Sequence, residues 1–186
     1  MKHIMGPSIL EFLLLGLLDQ DPSSGYDLRK SFVSSPLRHF SDSPGSIYPA
    51  LRRLTERGWI NAQKPDGSRN RQVFKIIKQG RLALISWLKR RVIPNDALRP
   101  ELLLLRFALM GQALTQDEVK TFLGEFGNEL EAHITSLKIF YAKNSDSFSL
   151  TGRLSFEYGL KEYRTRLLWT QEVKQTISRS KKWPLY

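Results

Sequence analysis

Between Ile9 and Leu18, apolar side chains occupy nearly every face of a helical wheel (Ile9, Leu10, Phe12, Leu13, Leu14, Leu15, Leu17, Leu18). That predicts a helix buried on more than one side. Ser8-Ile9-Leu10-Glu11 opens it as a capping box, the Ser hydroxyl and the Glu carboxylate taking up backbone donors that a first helical turn leaves unpaired. Asp21-Pro22-Ser23-Ser24-Gly25 then breaks the chain, and Ser23 or Ser24 can cap a second short helix reaching about Val33. A loop marked by Ser34-Ser35-Pro36 and Ser41-Asp42-Ser43-Pro44-Gly45 follows, with Ser43 as N-cap and Pro44 as first residue of a third helix ending at Arg57. Ile47, Leu51 and Leu54, spaced 4 and 3 apart, form one face of that helix, and Gly58 stands where a left-handed C-terminal cap belongs. The opposite face carries Ser46, Tyr48, Pro49, Arg52, Arg53 and Glu56.

Two short segments, Trp59–Gln63 and Gln72–Ile76, flank Pro65-Asp66-Gly67-Ser68-Arg69-Asn70-Arg71, and Asp-Gly is a strong tight-turn signal. They predict a β-hairpin with a basic tip. Helical spacing resumes from Gly80 to about Val92 with Leu84, Trp87 and Leu88. Three helices, a basic hairpin and a fourth helix make a winged helix-turn-helix. After a break at Val92-Ile93-Pro94-Asn95-Asp96 the pattern is helical throughout. Pro100 to Met110 is apolar on every side and closes at Gly111, which predicts a helix surrounded by protein. Thr115-Gln116-Asp117-Glu118 is a second capping box, and Val119, Phe122, Phe126, Leu130, Ile134, Leu137 and Tyr141 then form one stripe at intervals of 3 and 4. Past Asn144-Ser145-Asp146-Ser147 a last helix begins near Leu150, carrying Phe156, Leu160, Tyr163, Leu167, Trp169, Val173 and Ile177. The fold expected is mostly α: a winged helix with a two-stranded β-wing over residues 1–93, and an all-helical dimerisation domain over 94–186.

Charge sharpens this division. The 186 residues carry 29 Lys and Arg against 18 Asp and Glu, a net charge of +11. Residues 1–93 hold 16 basic and 7 acidic side chains, whereas residues 94–186 hold 13 and 11. The excess lies with the winged helix and points to a polyanionic partner. The chain has no Cys, and His3, His39 and His133 lie far apart. Disulfides, thiolate metal sites and cysteine nucleophiles are therefore excluded, and the cytoplasm is the natural compartment. The longest apolar run, Phe12 to Leu18, is far below the roughly 18 residues of a membrane span. Glu11 interrupts the one stretch that resembles a secretory signal, and no small-residue cleavage site follows, so the N-terminus is read as mature.

A helix laid in the major groove offers side chains to base edges, while cations on the wing neutralise phosphates. Arg52 and Arg53 are the candidate base readers, since Arg donates two hydrogen bonds to guanine O6 and N7. Tyr48 lies one turn before Arg52 on the same face, and Lys64, Arg69 and Arg71 would hold the wing over the backbone. The plain alternative is a solvated face with Arg52 and Arg53 paired to Glu56, a packing tyrosine, and a hairpin kept soluble by its arginines. Against it stands the coincidence of a capped helix, opposed apolar and basic faces and a basic hairpin in the order one module needs.

Ser24-Gly25-Tyr26-Asp27-Leu28, Gly45-Ser46-Ile47-Tyr48-Pro49-Ala50-Leu51-Arg52-Arg53-Leu54, Gly58-Trp59-Ile60 and Gly80-Arg81-Leu82 resemble the signature of PadR-type transcriptional regulators. Residues 8–92 resemble that family's winged helix, and the second half resembles the longer helical C-terminal domain of its larger subgroup. The wing strand Val73-Phe74-Lys75-Ile76-Ile77 departs from the pattern, where the family commonly shows Tyr followed by Thr. The resemblance implies a homodimer on a palindromic operator in double-stranded DNA, with Tyr48 and Arg52 in the reading helix and Arg69 and Arg71 in the wing. It also implies that Ser24 and Tyr26 face phosphate at a helix N-terminus.

The second half carries more apolar surface than a three-helix unit of its size normally buries. Leu102, Leu105, Leu109, Phe122, Phe126, Leu160, Leu167 and Trp169 are accordingly expected at a dimer interface, with an intrachain helical subdomain as the alternative. Phe107, Phe122, Phe126, Tyr163 and Trp169 have two readings, as core or as the lining of a pocket for an aromatic small-molecule effector of the kind several family members bind. Core packing is the weightier. No cofactor or metal is expected, and no enzyme: there is no phosphate-binding Gly-rich loop, and Glu129 and Glu131 near His133 read as a solvated helix face. Two other functions remain open at this point, a sequence-tolerant nucleic-acid binder and a protein-interaction adaptor built on a winged helix.

Overall fold

The structure, a computed structural model, describes residues 6–33, 44–63 and 72–183. The chain divides into two compact units, Met1–Leu88 and Lys89–Tyr186.

In the first unit, α1 (Ile9–Gln20) starts at the capping box read from the sequence. The Glu11 N–H donates to Ser8 Oγ at 3.3 Å and the Ser8 N–H to Glu11 Oε2 at 3.2 Å. Two-residue β1 (Ser23–Ser24) leads into α2 (Gly25–Val33). A 3-10 turn at Pro44–Ser46 then runs into α3 (Ile47–Glu56), so Pro44 does open the helical segment, while Ser43 lies outside the described residues. α3 ends in the expected left-handed Gly58, φ +65°, with the Trp59 N–H reaching Leu54 O at 3.0 Å and the Gly58 N–H reaching Thr55 O at 2.9 Å. These two bonds close a Schellman cap.

β2 (Ile60–Gln63) and β3 (Val73–Ile76) pair antiparallel, with Ile60 opposite Ile76 and Gln63 opposite Val73. The two-stranded wing expected from the pattern is in fact part of a three-stranded sheet in the order β1-β3-β2, because β1 takes the other edge of β3, Ser23 opposite Phe74. Two serines carry no alternation to read. α4 (Lys78–Leu88) closes the unit. Its Gly80 lies so near the Trp59 carbonyl that a Cβ would stand 2.1 Å from the oxygen.

α1 is wrapped by α3, α4 and β3, which is why it is apolar all round. Leu13, Leu14, Leu15 and Leu18 meet Leu28, Phe32, Ile47, Leu51, Leu54, Ile60, Leu84 and Leu88 in the core. Burial of each such side chain stabilises by about 1.5–3 kcal/mol. Phe12 stacks on Trp87 at 4.8 Å between centroids, and Arg81 pairs with Asp19 at 3.3 Å.

The second unit begins with Lys89, and α4 stops short of the Val92 expected from spacing. The reason is visible in where the backbone groups go: the Arg90 carbonyl accepts from the Arg106 guanidinium and the Val92 N–H donates to Glu125 Oε2 at 3.0 Å. A one-turn α5 (Pro94–Ala97) occupies the break read at Pro94, followed by α6 (Pro100–Ala113), α7 (Gln116–Asn144) and α8 (Leu150–Arg179). α6 passes through Gly111 rather than closing there, since a helical Gly costs only about 1 kcal/mol. It is buried through Leu103, Arg106 and Met110 but leaves Leu104 exposed, so its own chain does not surround it.

α7 and α8 pack as a hairpin, each about 43–45 Å long at 1.5 Å per residue. Gln116 Nε2 at the start of α7 donates to the Ile177 carbonyl and, at 3.1 Å, to that of Ser180, and Trp183 Nε1 donates to Leu114 O at 2.8 Å. The stripe on α7 is buried at Val119, Phe122, Phe126, Leu130 and Ile134 and only half-buried at Leu137 and Tyr141.

Candidate nucleic-acid interface

α3 is two-faced. Ile47, Ala50, Leu51 and Leu54 are buried, while Tyr48, Pro49, Arg52, Arg53 and Glu56 lie on the open side and Ser46 is half-buried just before it. Pro49 sits in the first turn, where a missing N–H leaves no helical bond unmade. Tyr48 is 53% exposed, and its ring rests on Gly25: a Cβ there would stand 2.7 Å from Tyr48 Cε1. The absence of a side chain at the first residue of α2 thus sets where the Tyr48 ring lies.

The two adjacent arginines differ in their surroundings. Arg52 has a side chain 77% exposed, and its Nε lies 3.6 Å from Glu56 Oε1 one turn on. An exposed pair of this kind is worth about 0–1 kcal/mol, so Arg52 exchanges Glu56 for another partner at little cost. Arg53 instead donates through Nε to Glu11 Oε1, 42 residues away on α1, and Glu11 is 1% exposed. Arg57 Nε lies 4.0 Å from the other oxygen of the same carboxylate, with its guanidinium over the Trp59 ring. The pairing of Arg53 with Glu56 weighed from the sequence is therefore replaced by one with Glu11. In the sequence Glu11 is legible as a capping residue alone, because nothing local connects it to α3.

Ser24 is buried. Its hydroxyl donates to Asp27 Oδ2 at 2.6 Å and accepts from the Asp27 N–H at 3.2 Å, so it serves as the cap of α2 rather than standing open toward an anion. Tyr26, next to it, is half exposed. Lys64, Arg69 and Arg71 of the wing tip lie outside the described residues.

In the second unit, Leu105, Phe122 and Phe126 of the expected dimer set are buried by their own chain, whereas Leu102, Leu109, Leu160, Leu167 and Trp169 are half-buried. Among the described residues the large apolar side chains left open are others: Ile93, Leu98, Leu104, Ile139, Phe140, Leu150, Leu154, Tyr158 and Leu168. The aromatic rings considered for an effector pack on their neighbours, Phe107 edge-on to Trp169 at 5.7 Å and Tyr163 edge-on to His133 at 4.5 Å. Arg106 crosses this core with its guanidinium 5.0 Å from the Phe122 ring and 3.8 Å from Asp96, and burial lowers its pKa below the ordinary value despite Asp96. Among the described residues no three His, Cys, Asp or Glu side chains are placed to hold a metal, and no helix is long and apolar enough to cross a membrane.

A three-helix core whose third helix turns a polar face outward, backed by a small antiparallel sheet, defines the first unit as a winged helix-turn-helix. Residues 14–86, from the apolar centre of α1 into α4, match the family model described as the transcriptional regulator PadR-like family. Over that stretch the first unit is a winged helix of the PadR-like type found in transcriptional regulators. The chain is 24% identical over 137 residues to the negative transcriptional regulator PadR of Bacillus subtilis, covering 73% of this chain and 74% of that one. It is also 24% identical over 157 residues to the transcriptional regulator YqjI of Escherichia coli, covering 84% and 72%. A crystal structure of Bacillus subtilis PadR in complex with operator DNA is similar at 21% identity and a TM-score of 0.42, over 91% of this chain and 99% of that one.

Proposed function

We propose that this chain is a sequence-specific DNA-binding regulator that acts as a homodimer on a palindromic promoter site. The observation that carries the reading is the division of α3, with Ile47, Leu51 and Leu54 turned into the core and Tyr48 and Arg52 turned out one turn apart. In this reading α3 enters the major groove, Arg52 donates to a guanine edge, and Tyr48 packs on the sugar-phosphate wall or a thymine methyl. Lys64, Arg69 and Arg71 close the wing on adjacent phosphates, supplying affinity without sequence information. Two copies held roughly 34 Å apart read two half-sites on one face of the duplex. The open apolar positions of the second unit, Leu104, Phe140, Leu154, Tyr158 and Leu168, are the surface that a second copy would cover. Occupancy then acts sterically on polymerase at the promoter.

A gel-shift series against the chain's own upstream region and random duplex tests the assignment. Arg52→Ala lowers the operator-to-random affinity ratio by about 1–3 kcal/mol, the range of one bidentate base contact. An unchanged ratio sinks base reading by Arg52, and no duplex binding at about 0.1 M salt would favour an adaptor over any DNA-binding role.

A further inference from the structure

Glu11 does two jobs with one carboxylate. Oε2 accepts the Ser8 N–H that opens α1, and Oε1 accepts from Arg53 of α3. Taking a carboxylate out of water costs several kcal/mol unless it is paired and hydrogen-bonded, and here Arg53 supplies the close cation, with Arg57 at 4.0 Å. If Arg53 swung away to a phosphate, it would leave that buried charge with the Ser8 N–H and the more distant Arg57. Arg52 faces no such constraint, because the Glu56 side chain is itself 65% exposed and is readily resolvated. Two neighbouring arginines of identical chemistry are therefore unequal: one is anchored inward, the other is able to change partner.

We propose that Glu11 is a positioning residue that withholds Arg53 from duplex DNA. It fixes α3 against α1 and leaves Arg52 as the arginine of that helix that enters the groove. By neutralising one cation beside the groove-facing surface, it also trims the attraction to phosphate that every sequence shares, and so sharpens discrimination. This inference rests on the DNA-binding reading above and refines which side chain does the reading.

The test is the slope of log affinity against log salt on the full chain, which becomes shallower by about 0.9 for each phosphate no longer neutralised and which a purely structural role would not move. Arg53→Gln, which keeps most of the stem, leaves the slope of the parent protein unchanged. Glu11→Gln releases Arg53, steepens the slope by about 0.9 and lowers the operator-to-random ratio by strengthening random-duplex binding. A slope shallower by about 0.9 in Arg53→Gln overturns the inference, and so does a Glu11→Gln protein that folds but keeps both slope and ratio. If Glu11→Gln does not fold by circular dichroism, Arg53→Gln decides alone. A parent protein that binds no duplex, or an Arg52→Ala variant with unaltered discrimination, fails the functional reading itself and takes this inference with it.

Discussion

At the scale of single residues, position in the fold outweighs residue type. Gly25 illustrates this, since its missing side chain is what lets the Tyr48 ring lie against the start of α2. Gly25→Ala should push that ring away and weaken operator binding about as much as Tyr48→Ala does. The double variant should be little worse than either alone, because both remove one arrangement. Additive losses in a double-mutant cycle would separate the two residues. The candidate readers Tyr48 and Arg52 were legible as the face opposite Ile47, Leu51 and Leu54, because a 3.6-residue repeat sorts side chains by angle alone. That Ser24 is consumed as a cap was half legible: the sequence places a serine correctly for capping, but capping and anion contact ask for the same residue type at the same place.

At the scale of elements, the second capping box offers a measurable contribution. The Glu118 N–H donates to Thr115 Oγ1 at 3.3 Å, the Thr115 N–H to Glu118 Oε2 at 2.8 Å, and Lys89 Nζ stands 2.5 Å from Glu118 Oε1. Bonding to Lys89, and next to the Thr115 backbone, lowers the Glu118 pKa below its ordinary 4.5. A carboxyl whose folded pKa is depressed adds stability that is whole above its unfolded value and is lost as pH falls through the folded one. The melting-temperature gap between the parent protein and Glu118→Gln should therefore be present at pH 7 and shrink below pH 4.5. A gap that grew on acidification would contradict the assignment. Thr115→Ala should cost about 0.5–2 kcal/mol in urea denaturation at pH 7. Both boxes were read correctly because a helix start is decided within four residues. The end of α4 was not, because its last turn competes with Arg106 and Glu125, and distant partners leave no mark on local spacing.

At the scale of the whole molecule, the second unit joins a well-buried base to an open tip. α7 is buried at Val119, Phe122 and Phe126, yet near its far end Phe140 is exposed, as are Leu154 and Tyr158 on α8. Since Leu154 is 55% exposed within its own chain, Leu154→Glu should leave the monomer fold intact. In sedimentation at micromolar concentration the parent should run near twice its 21.5 kDa, and the variant near the single-chain mass with weaker operator binding. A parent already monomeric would refute the dimer. Periodicity assigned the length and stripe of α7 and α8. It could not divide the apolar residues between the chain's own core and an open face, because a stripe of given width is buried or left open according to what packs on it. The two-residue β1, the seat of Tyr48 on Gly25 and the grip of Glu11 on Arg53 depend on groups brought together across long stretches of chain. Caps, turns and helical faces are energies of neighbouring residues and can be read in order along the chain; which arginine of α3 is anchored to Glu11 is an energy of burial, and it exists only once α1 and α3 have packed.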